Sequence, residues 1–364
     1  MLNILIPLAG KDTFKTSTNN SFPRILHEID GKLLIERAAQ PFIHLECEKK
    51  IIVAAPKKEV AKYSLDKVLR LLDDSIFICD INSNTKGAAC SALLAVDNLD
   101  LDSPLIISNF EQVIDIDLSC YLNEFVECDA EAGVLTFEAI HPKWSYVKVN
   151  ANGYVTEAAE KLPISRHAVA GLYYFKSARL FIDSAKNMIR KDVTYNGLFY
   201  ISHTLNELIL NEGKVKAISI DKSNYFHIHD EHALGNYEEK IVNNRERLQN
   251  NVHEKTLEYI KAFNEKDITK LTSLISPDVK LTDPSVTLEG QANVISYIND
   301  LFSNVSDLSF IAQKVIVSNL ESIIEFQLIL DDTCLIGVDV ISWNSAQQIS
   351  TLDAYLYETN DGKV

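Results

Sequence analysis

Residues able to bind phosphate and metal follow two apolar stretches in the first third of the chain. Gly10 and Lys11 come directly after the run Leu2 to Ala9, and Asn109 to Gln112 follow a later apolar run. A glycine lets a ligand approach the backbone closely, and successive N–H groups of such a loop can hold an anion. Glu111 adds a hard carboxylate oxygen of the kind that binds Mg²⁺. These residue types are compatible with a site for a phosphorylated ligand and a metal ion, although an acid at a strand end is more often a solvated loop residue than a ligand.

The charge of the chain limits how such a ligand can be held. The 364 residues carry a formal net charge of −16, and residues 251–364 hold 17 acids against 7 lysines and no arginine. A surface of this charge repels nucleic acid and anionic lipid. We therefore expect no nucleic-acid partner, and we expect any phosphate to be held by local cations or by a metal ion.

Strand-length and helix-length segments alternate through the first half of the chain. The predicted strands cover residues 2–9, 50–55, 75–80 and 104–108, and the predicted helices cover residues 34–42, 59–72 and 88–96. This alternation is typical of an α/β unit with a mostly parallel sheet and helices on both faces. Ligands of such sheets lie beyond the carboxyl ends of the strands. Gly10, Lys11 and Asn109 to Gln112 are therefore expected at one edge.

A second unit with a different pattern starts near Asn251. Predicted helices over residues 256–263, 268–274 and 292–302 precede four long strands over residues 308–317, 322–331, 334–341 and 349–357. Helices followed by a run of strands indicate an α+β fold. We predict a first domain over residues 1–240, a linker helix over 241–250 and a second domain over 251–364.

A set of short segments stands in order along the first domain. They are Ile6 to Lys11, Phe22 to Leu26, Asp30 to Arg37, Thr85 to Ala95, Pro104 to Gln112, Glu160 to Pro163 and Ala170 to Phe175. In order and spacing they resemble the motifs of the sugar-phosphate nucleotidyltransferases. The resemblance implies a nucleotide-binding fold of the GT-A or Rossmann-like type. It also implies a reaction in which a nucleoside triphosphate and a sugar 1-phosphate, or a similar phosphorylated metabolite, give an activated product and pyrophosphate. Such products serve surface polysaccharide synthesis.

The same resemblance assigns a role to individual residues. The nucleotide would lie against Leu8, Ala9, Gly10, Gly87 and Ala88. The catalytic cations would be Lys11, Lys15 and Arg24, which would hold the triphosphate and stabilise the leaving pyrophosphate. Mg²⁺ would be bound by Glu111 and Asp230, and the acceptor by Glu160, Lys161 and Gly171. Both reactants are polyanions, so positioning and charge neutralisation are the main tasks of the protein.

Several motif residues differ from the family pattern. The loop at Gly10 lacks a second glycine and an arginine, Arg24 replaces a lysine, and Glu111 replaces an aspartate. Two further hypotheses therefore stay open: a nucleotide-sugar-binding protein without turnover, and a glycosyltransferase of the related fold. His227, His229 and His232 lie close together without a nearby cysteine, which is not a zinc pattern. We predict no zinc site.

The second unit resembles a different family. Its helix pair, the turn at Glu289-Gly290 and the long strands resemble nuclear transport factor 2 and the SnoaL-like polyketide cyclases. The resemblance implies a cone-shaped fold around a pocket that Asp283, Asp339 and Asp353 could line. An accessory or dimerising role and a second active site are both open, and we expect a homodimer formed through this domain.

The remaining composition points to a cytoplasmic enzyme. The six cysteines show no CxxC spacing and are expected to be reduced thiols. No apolar run approaches the roughly 20 residues that a membrane-spanning helix needs. The first ten residues are interpreted as a core strand rather than a signal peptide.

Overall fold

The structure is a computed structural model that describes residues 1–10, 12–16, 21–81 and 85–358. The chain divides into two compact units, Met1–Glu238 and Glu239–Val364. The division falls within one long helix, Glu231–Asn264. Each unit has its own sheet and its own apolar core.

A mixed sheet forms the centre of the first unit. In the part of the chain that the structure describes, its nine strands are β1 (Leu2–Pro7), β4 (Lys49–Pro56), β5 (Phe77–Ile81), β6 (Leu105–Ile107), β8 (Ala132–Glu138), β9 (Ser145–Val149), β10 (Val155–Glu160), β11 (His167–Phe175) and β12 (Val215–Ser219). The order β10-β9-β11-β6-β1-β4-β5 forms its main path, and β8 and β12 extend it from β11. Strands β6, β1, β4 and β5 are parallel, whereas β11 is antiparallel to β6 and β8.

Two short strand pairs accompany this sheet. They are β2 (Glu28–Ile29) with β3 (Lys32–Leu33), and β7 (Gln112–Ile114) with β13 (Tyr225–His227). The helices of the first unit are α1 (Leu34–Ile43), α2 (Lys57–Tyr63), α3 (Leu65–Leu72), α4 (Ala88–Leu93), α5 (Leu118–Glu127), α6 (Ala178–Arg190) and α7 (Thr204–Leu210).

Burial along β1 shows that both faces of the parallel sheet are covered. Leu5 belongs to an apolar cluster with Ala92 of α4 and Phe181 of α6. Ile4 and Ile6 point to the opposite face because side chains alternate along a strand, and both are fully buried. A continuous apolar run is what a strand buried on two faces requires.

Two predicted helices have different boundaries in the structure. The helix expected over residues 59–72 is broken into α2 and α3 at Ser64, which has a left-handed φ of 51°. The charged segment 241–250 does not stand alone but lies inside α8 (Glu231–Asn264), together with the helix expected over 256–263. No glycine or proline interrupts that segment, so helix propagation continues through it.

The second unit contains a six-stranded sheet and two further helices within the described residues. The helices are α9 (Ile268–Leu274) and α10 (Gln291–Asn304), and the strands are β14 (Ile275–Thr282), β15 (Thr287–Glu289), β16 (Leu308–Ser318), β17 (Glu321–Leu330), β18 (Thr333–Trp343) and β19 (Ile349–Glu358). The strand order is β15-β14-β19-β18-β17-β16. Along β17, Ile324 and Phe326 are buried while Ile323 and Glu325 are exposed, so one face of this sheet packs on the core.

The α/β class of the first unit and the sheet-and-helix class of the second are confirmed. Within the described ranges, no helix is both long enough and apolar enough to cross a membrane.

Candidate active site

A cavity of about 590 Å³ lies at the carboxyl ends of β1 and β6. Its walls include Ala9 and Gly10 after β1, Asn109 and Glu111 after β6, and Gly87 at the start of α4. The parallel strands bring these loops to one edge of the sheet, although about one hundred residues separate the first from the last. The edge predicted from the strand pattern is therefore where the cavity is found.

The loop after β1 forms one end of this cavity. The N–H of Thr13 donates to the carbonyl of Gly10 at 3.3 Å, which closes a tight turn. A Cβ atom on Gly10 would lie 2.6 Å from the Oγ1 of Thr13, so the turn has no room for a side chain. Lys11 lies outside the described residues. Lys15 forms an ion pair with Asp12 and is 68% exposed, and it is not among the lining residues.

Glu111 lies next to this loop. Its Oε2 is 3.8 Å from the position of a Cβ on Gly10, and its N–H donates to the Oδ1 of Asn109 at 2.9 Å. Burial raises the pKa of the Glu111 carboxyl, and the Thr13 hydroxyl and the positive charge of Arg24 oppose that rise. Arg24 does not line the cavity, and its buried Nε has no hydrogen-bond partner among the described residues.

The start of α4 forms the wall predicted to contact the base. Gly87 has a φ of +110°, and a Cβ there would lie 2.3 Å from the backbone oxygen of Phe199. Only glycine fits such a position. Ala88 and Ser91 also line this wall, whereas Leu8 is buried beneath it and Ala9 faces the cavity.

Another part of the cavity wall is built around a buried carboxyl. Glu160 accepts hydrogen bonds from the hydroxyls of Ser145 and Ser202, the latter at 2.9 Å. Burial raises its pKa, and these two hydroxyls and the Lys161 charge act against the rise. The Lys161 Nζ lies 3.4 Å from the Tyr200 hydroxyl and 5.4 Å from the centre of its ring. Glu160 and Lys161 thus share this part of the wall, as their adjacent motif positions require.

Gly171 also lines the cavity. It lies on β11, where the register with β8 shifts between Val169 and Tyr173. The side-chain amide of Gln112 donates to the Gly171 carbonyl at 3.0 Å and accepts from the Tyr225 hydroxyl at 3.0 Å. A Cβ on Gly171, at its φ of +61°, would lie 2.1 Å from the Gln112 Oε1.

Asp230 does not reach the cavity. Its carboxylate accepts the N–H of Ala233 at 2.8 Å at the start of α8 and lies 3.1 Å from the Nε2 of His229. The hydrogen bond from Ala233 lowers its pKa. Aspartate commonly caps a helix in this way, and the side chain is 53% exposed.

The structure places His227 in the cavity instead. Strand β13 pairs with β7 so that His227 stands opposite Gln112, and the N–H of Ile228 donates to the Glu111 carbonyl at 2.8 Å. Burial lowers the His227 pKa to about 4, helped by the nearby His229, Lys143 and Arg24. The imidazole is therefore neutral at pH 7.

Three further lining residues were missed by motif reasoning. Lys143, Trp144 and Ser145 precede or begin β9, and the Lys143 Nζ lies 4.5 Å from the centre of the Trp144 ring. Ser145 pairs directly with Glu160 across the β9–β10 ladder. The turn at Asn150 to Gly153 separates these two strands. It is the signal that could have placed Ser145 opposite Glu160.

The donor set at the loop end suits a hard cation. Mg²⁺ is usually held by one or two carboxylates together with substrate phosphates and waters, and Glu111 supplies one carboxylate in this wall. Within the described ranges, no group of three or more His, Cys, Asp or Glu side chains forms an all-protein metal site. Glu111 could hold Mg²⁺ only with substrate oxygens completing the coordination.

The second unit has its own cavity of about 300 Å³. Asp283 and Asp339 line it, as the sequence pattern suggested, and Asp353 does not. Phenylalanine, tyrosine and leucine side chains form most of the remaining wall.

Comparison with known proteins supports both halves of this description. The chain is 25% identical over 229 residues to the UTP–glucose-1-phosphate uridylyltransferase of Haloferax volcanii, which covers 60% of this chain and 88% of the relative. The nucleoside-diphosphate-sugar pyrophosphorylase of Vibrio cholerae RC9 superposes with a TM-score of 0.56 at 19% identity over 65% of this chain and 99% of its own. A UDP-glucose pyrophosphorylase complexed with UDP-glucose superposes with a TM-score of 0.55 at 14% identity, covering 67% and 99%.

The end of the chain matches a different family. The family model of the SnoaL-like domain matches residues 256–363. The resemblances seen in the sequence are thereby confirmed: a unit with the fold of the NDP-sugar pyrophosphorylases is followed by a SnoaL-like domain.

Proposed function

We propose that the first unit is a nucleotidyltransferase that joins a nucleoside triphosphate to a sugar 1-phosphate or a similar phosphorylated metabolite. One observation carries the proposal: a single cavity is lined both by Gly10, Gly87 and Glu111 and by Glu160 and Lys161. A triphosphate and a phosphorylated acceptor both need to lie in such a cavity for direct transfer. The product would be an activated building block for surface polysaccharide.

The residues of the cavity support an in-line transfer. An oxygen of the acceptor phosphate would form a bond to the α-phosphorus while the bond from that phosphorus to the bridging oxygen of pyrophosphate breaks. Mg²⁺, held by Glu111 and the phosphates, would neutralise charge on the triphosphate. Lys161 and Lys143 would hold the acceptor phosphate, and Glu160 would accept hydrogen bonds from acceptor hydroxyls. Lys11 and Arg24 are proposed for the leaving pyrophosphate, because the charge of Arg24 already acts on the Glu111 carboxyl. Lys15 and Asp230 do not line the cavity and take no part in the proposed step.

A pyrophosphate-release assay tests this function. The enzyme would be incubated with Mg²⁺, with ATP, GTP, CTP, UTP or dTTP, and with a panel of sugar 1-phosphates and other phosphorylated metabolites. We expect release that needs both substrates and falls at least about 100-fold in Glu111→Gln. Glu127→Gln, which changes an exposed glutamate at the end of α5, serves as the control.

Other outcomes identify the alternatives. Release of a nucleoside diphosphate from a nucleotide-sugar would show a glycosyltransferase. Silence with every pair, together with thermal stabilisation by a nucleotide-sugar, would show a binding protein. The exposed ion pair of Lys15 with Asp12 favours the binding protein, because it removes a cation from the loop that would hold the triphosphate.

We also propose that the chain forms a homodimer through the outer face of the SnoaL-like sheet. Apolar side chains are exposed there on neighbouring strands. Ile336 pairs with Tyr357, and Ile316 pairs with Ile323 across the ladder. Several exposed apolar side chains on one sheet face are typical of an interface.

A further inference from the structure

The cavity of the SnoaL-like unit contains a buried acid without a partner. Asp339 lies on β18, lines the cavity and is 3% exposed. Among the described residues, its carboxyl has no hydrogen bond and no ion pair. A buried polar group without a partner costs free energy, and a buried charge without a partner costs more. Such a group in the wall of a cavity can accept hydrogen bonds from a molecule bound there.

A second acid, Asp283, lines the same cavity but has hydrogen-bond partners. Asp283 accepts hydrogen bonds from the hydroxyl of Tyr297, from the N–H and hydroxyl of Ser285 and from the N–H of Val286. Burial raises its pKa, but these hydrogen bonds outweigh burial and lower the pKa overall. Asp283 is therefore a carboxylate at neutral pH, and the cavity carries negative charge.

The rest of the wall favours a cation over an anion. No Lys, Arg or His side chain among the described residues lines the cavity, so no positive charge could bind a phosphate or a carboxylate. Tyr259, Phe263, Phe310 and Phe326 contribute aromatic rings to the wall, and Phe310 stacks on Phe326 at 4.3 Å between ring centres. Aromatic faces attract ammonium groups, more strongly where water is excluded.

The size of the cavity limits the ligand. A cavity of about 150 Å³ is enough to bind benzene, and this one measures about 300 Å³. A single ring with a short chain fills that space. The ligand is therefore much smaller than a nucleotide-sugar and has the opposite charge.

We propose that the SnoaL-like unit binds a small hydrophobic amine, whose ammonium group donates to Asp339 while its apolar part packs against the aromatic wall. The ammonium group gives the buried carboxyl its missing hydrogen bonds, and the apolar wall excludes the water that would compete. The site is independent of the nucleotidyltransferase proposal, because it shares no residue with the first cavity.

The experiment uses calorimetric titration of the full chain with matched probes. The amine probes are benzylamine, phenethylamine and tryptamine, the neutral match is 2-phenylethanol and the anionic match is 3-phenylpropionate. We expect at least one amine to bind at least about tenfold more tightly than both matches. Failure of all three amines to bind, or equal binding by 2-phenylethanol, overturns the proposal.

Variants assign the binding to this cavity. Asp339→Asn and Asp339→Leu should each weaken amine binding at least about tenfold, since each removes the charge. Asp278→Asn, which removes an exposed acid from β14 of the same unit, should leave it unchanged. Amine binding that survives in both Asp339 variants overturns the assignment, and circular dichroism verifies that each variant is folded.

The pH dependence gives a second readout. The titratable groups that line the cavity with Asp339 are Asp283, Tyr259 and Tyr297, and the pKa of both tyrosines is raised above its ordinary value. Asp339 alone among these four changes charge near neutrality. Amine binding should therefore strengthen between pH 6 and pH 8 in the wild type and in Asp278→Asn. A flat profile in the wild type contradicts the role of Asp339.

Discussion

Lys161 shows how one residue depends on its backbone conformation to reach the cavity. It follows β10 directly and has a left-handed φ of 53°, and its N–H donates to the Trp144 carbonyl at 3.0 Å. This bend turns the side chain towards the Tyr195 and Tyr200 rings, with its Nζ 5.8 Å and 5.4 Å from their centres. Lys161 donates one hydrogen bond, to the Tyr200 hydroxyl at 3.4 Å. An ammonium group has three donors, so the group still has donors for a phosphate.

Loss of this cation should affect acceptor binding first. We expect Lys161→Ala to raise the KM for the acceptor roughly tenfold or more, because a charged hydrogen bond is worth about 1.5–3 kcal/mol. The KM for the triphosphate should change much less. Steady-state kinetics with each substrate varied in turn provide the measurement. Lys186→Ala, at an exposed position on α6, is the control, and an unchanged acceptor KM in Lys161→Ala would refute the role.

Asp339 should make the stability of the second unit depend on pH. Burial raises its pKa from 3.8 to about 7. Between these values the unfolded chain has lost the proton and the folded chain still holds it, so stability falls as pH rises from about 4 to about 7. From pH 5 to pH 7.5 the wild type should lose about 2 kcal/mol more than Asp339→Asn, at ~1.4 kcal/mol per pKa unit with allowance for relaxation.

Urea denaturation can follow the second unit separately. The chain has two tryptophans, Trp144 in the first unit and Trp343 in the second. In a Trp144→Phe background, fluorescence therefore reports on Trp343, which is buried in the second core. In Asp278→Asn, the free energy of unfolding should change with pH as it does in the wild type. The same pH slope in Asp339→Asn as in the wild type would mean that Asp339 does not titrate as described.

At the scale of elements, the cavity depends on how β11 passes Gln112. The register shift within β11 and the positive φ of Gly171 let the Gln112 amide reach the Gly171 carbonyl. The same amide group anchors β7, which pairs with β13 and carries His227. One glycine therefore sets the spacing between the large sheet and the short strand pair beside it.

A side chain at position 171 should destabilise the first unit. Gly171→Ala adds a strained φ and a methyl group 2.1 Å from the Gln112 Oε1. We expect a loss of about 2–4 kcal/mol in the free energy of unfolding. Gly197→Ala is a matched control, because Gly197 also has a positive φ, of +72°, but has no atom within 4 Å of its added Cβ. That variant should lose about 1 kcal/mol from backbone strain alone.

Trp144 fluorescence in a Trp343→Phe background measures both losses. Equal losses in the two alanine variants would show that backbone strain, rather than the contact with Gln112, explains the effect.

Some elements could be predicted from sequence and others could not. Strand β1 is apolar along its whole length, and a strand buried on both faces produces that pattern directly. The break at Ser64 has a weaker signal: serine favours the N-cap position that Ser64 holds for α3, but a single serine does not identify a helix start. The continuous helix α8 was divided in the prediction because its polar composition resembles a linker.

Some residues of the candidate site could likewise be predicted from the sequence, and others could not. Gly10, Glu111, Glu160 and Lys161 stand in motifs that can be read along the chain. His227 and the segment 143–145 reach the cavity only through strand pairings that join distant residues. Asp230 has a suitable side chain near the right position, but the helix that begins after it uses that side chain as a cap.

At the scale of the whole molecule, two cavities of opposite preference share one chain. The first has Lys143 and Lys161 in its wall, and the second has two acids with no lining Lys, Arg or His among the described residues. A phosphorylated molecule suited to the first would be repelled by the second. We therefore expect the two units to bind different classes of ligand.

The outer face of the second sheet should determine the oligomeric state. Light scattering coupled to size-exclusion chromatography should give twice the mass of one chain for the wild type. Ile323→Lys combined with Ile336→Lys should give the mass of one chain, because charges replace apolar contacts at the interface. Val126→Lys combined with Leu210→Lys changes exposed apolar residues of the first unit and should leave the mass unchanged. A monomeric wild type would exclude the dimer.

The pairing of β7 with β13 has a consequence for the order of folding. The hydrogen bond from Tyr225 to Gln112 spans 113 positions of sequence, and the pairing of β12 with β8 also joins distant segments, since Val215 pairs with Ala132. Contacts of such separation form slowly, because a long loop must close before they are made. During synthesis, β1, β4, β5 and β6 leave the ribosome long before His227 does. The nascent chain therefore has to hold an incomplete sheet edge until β12 and β13 arrive, and this interval is when a chaperone would be most useful.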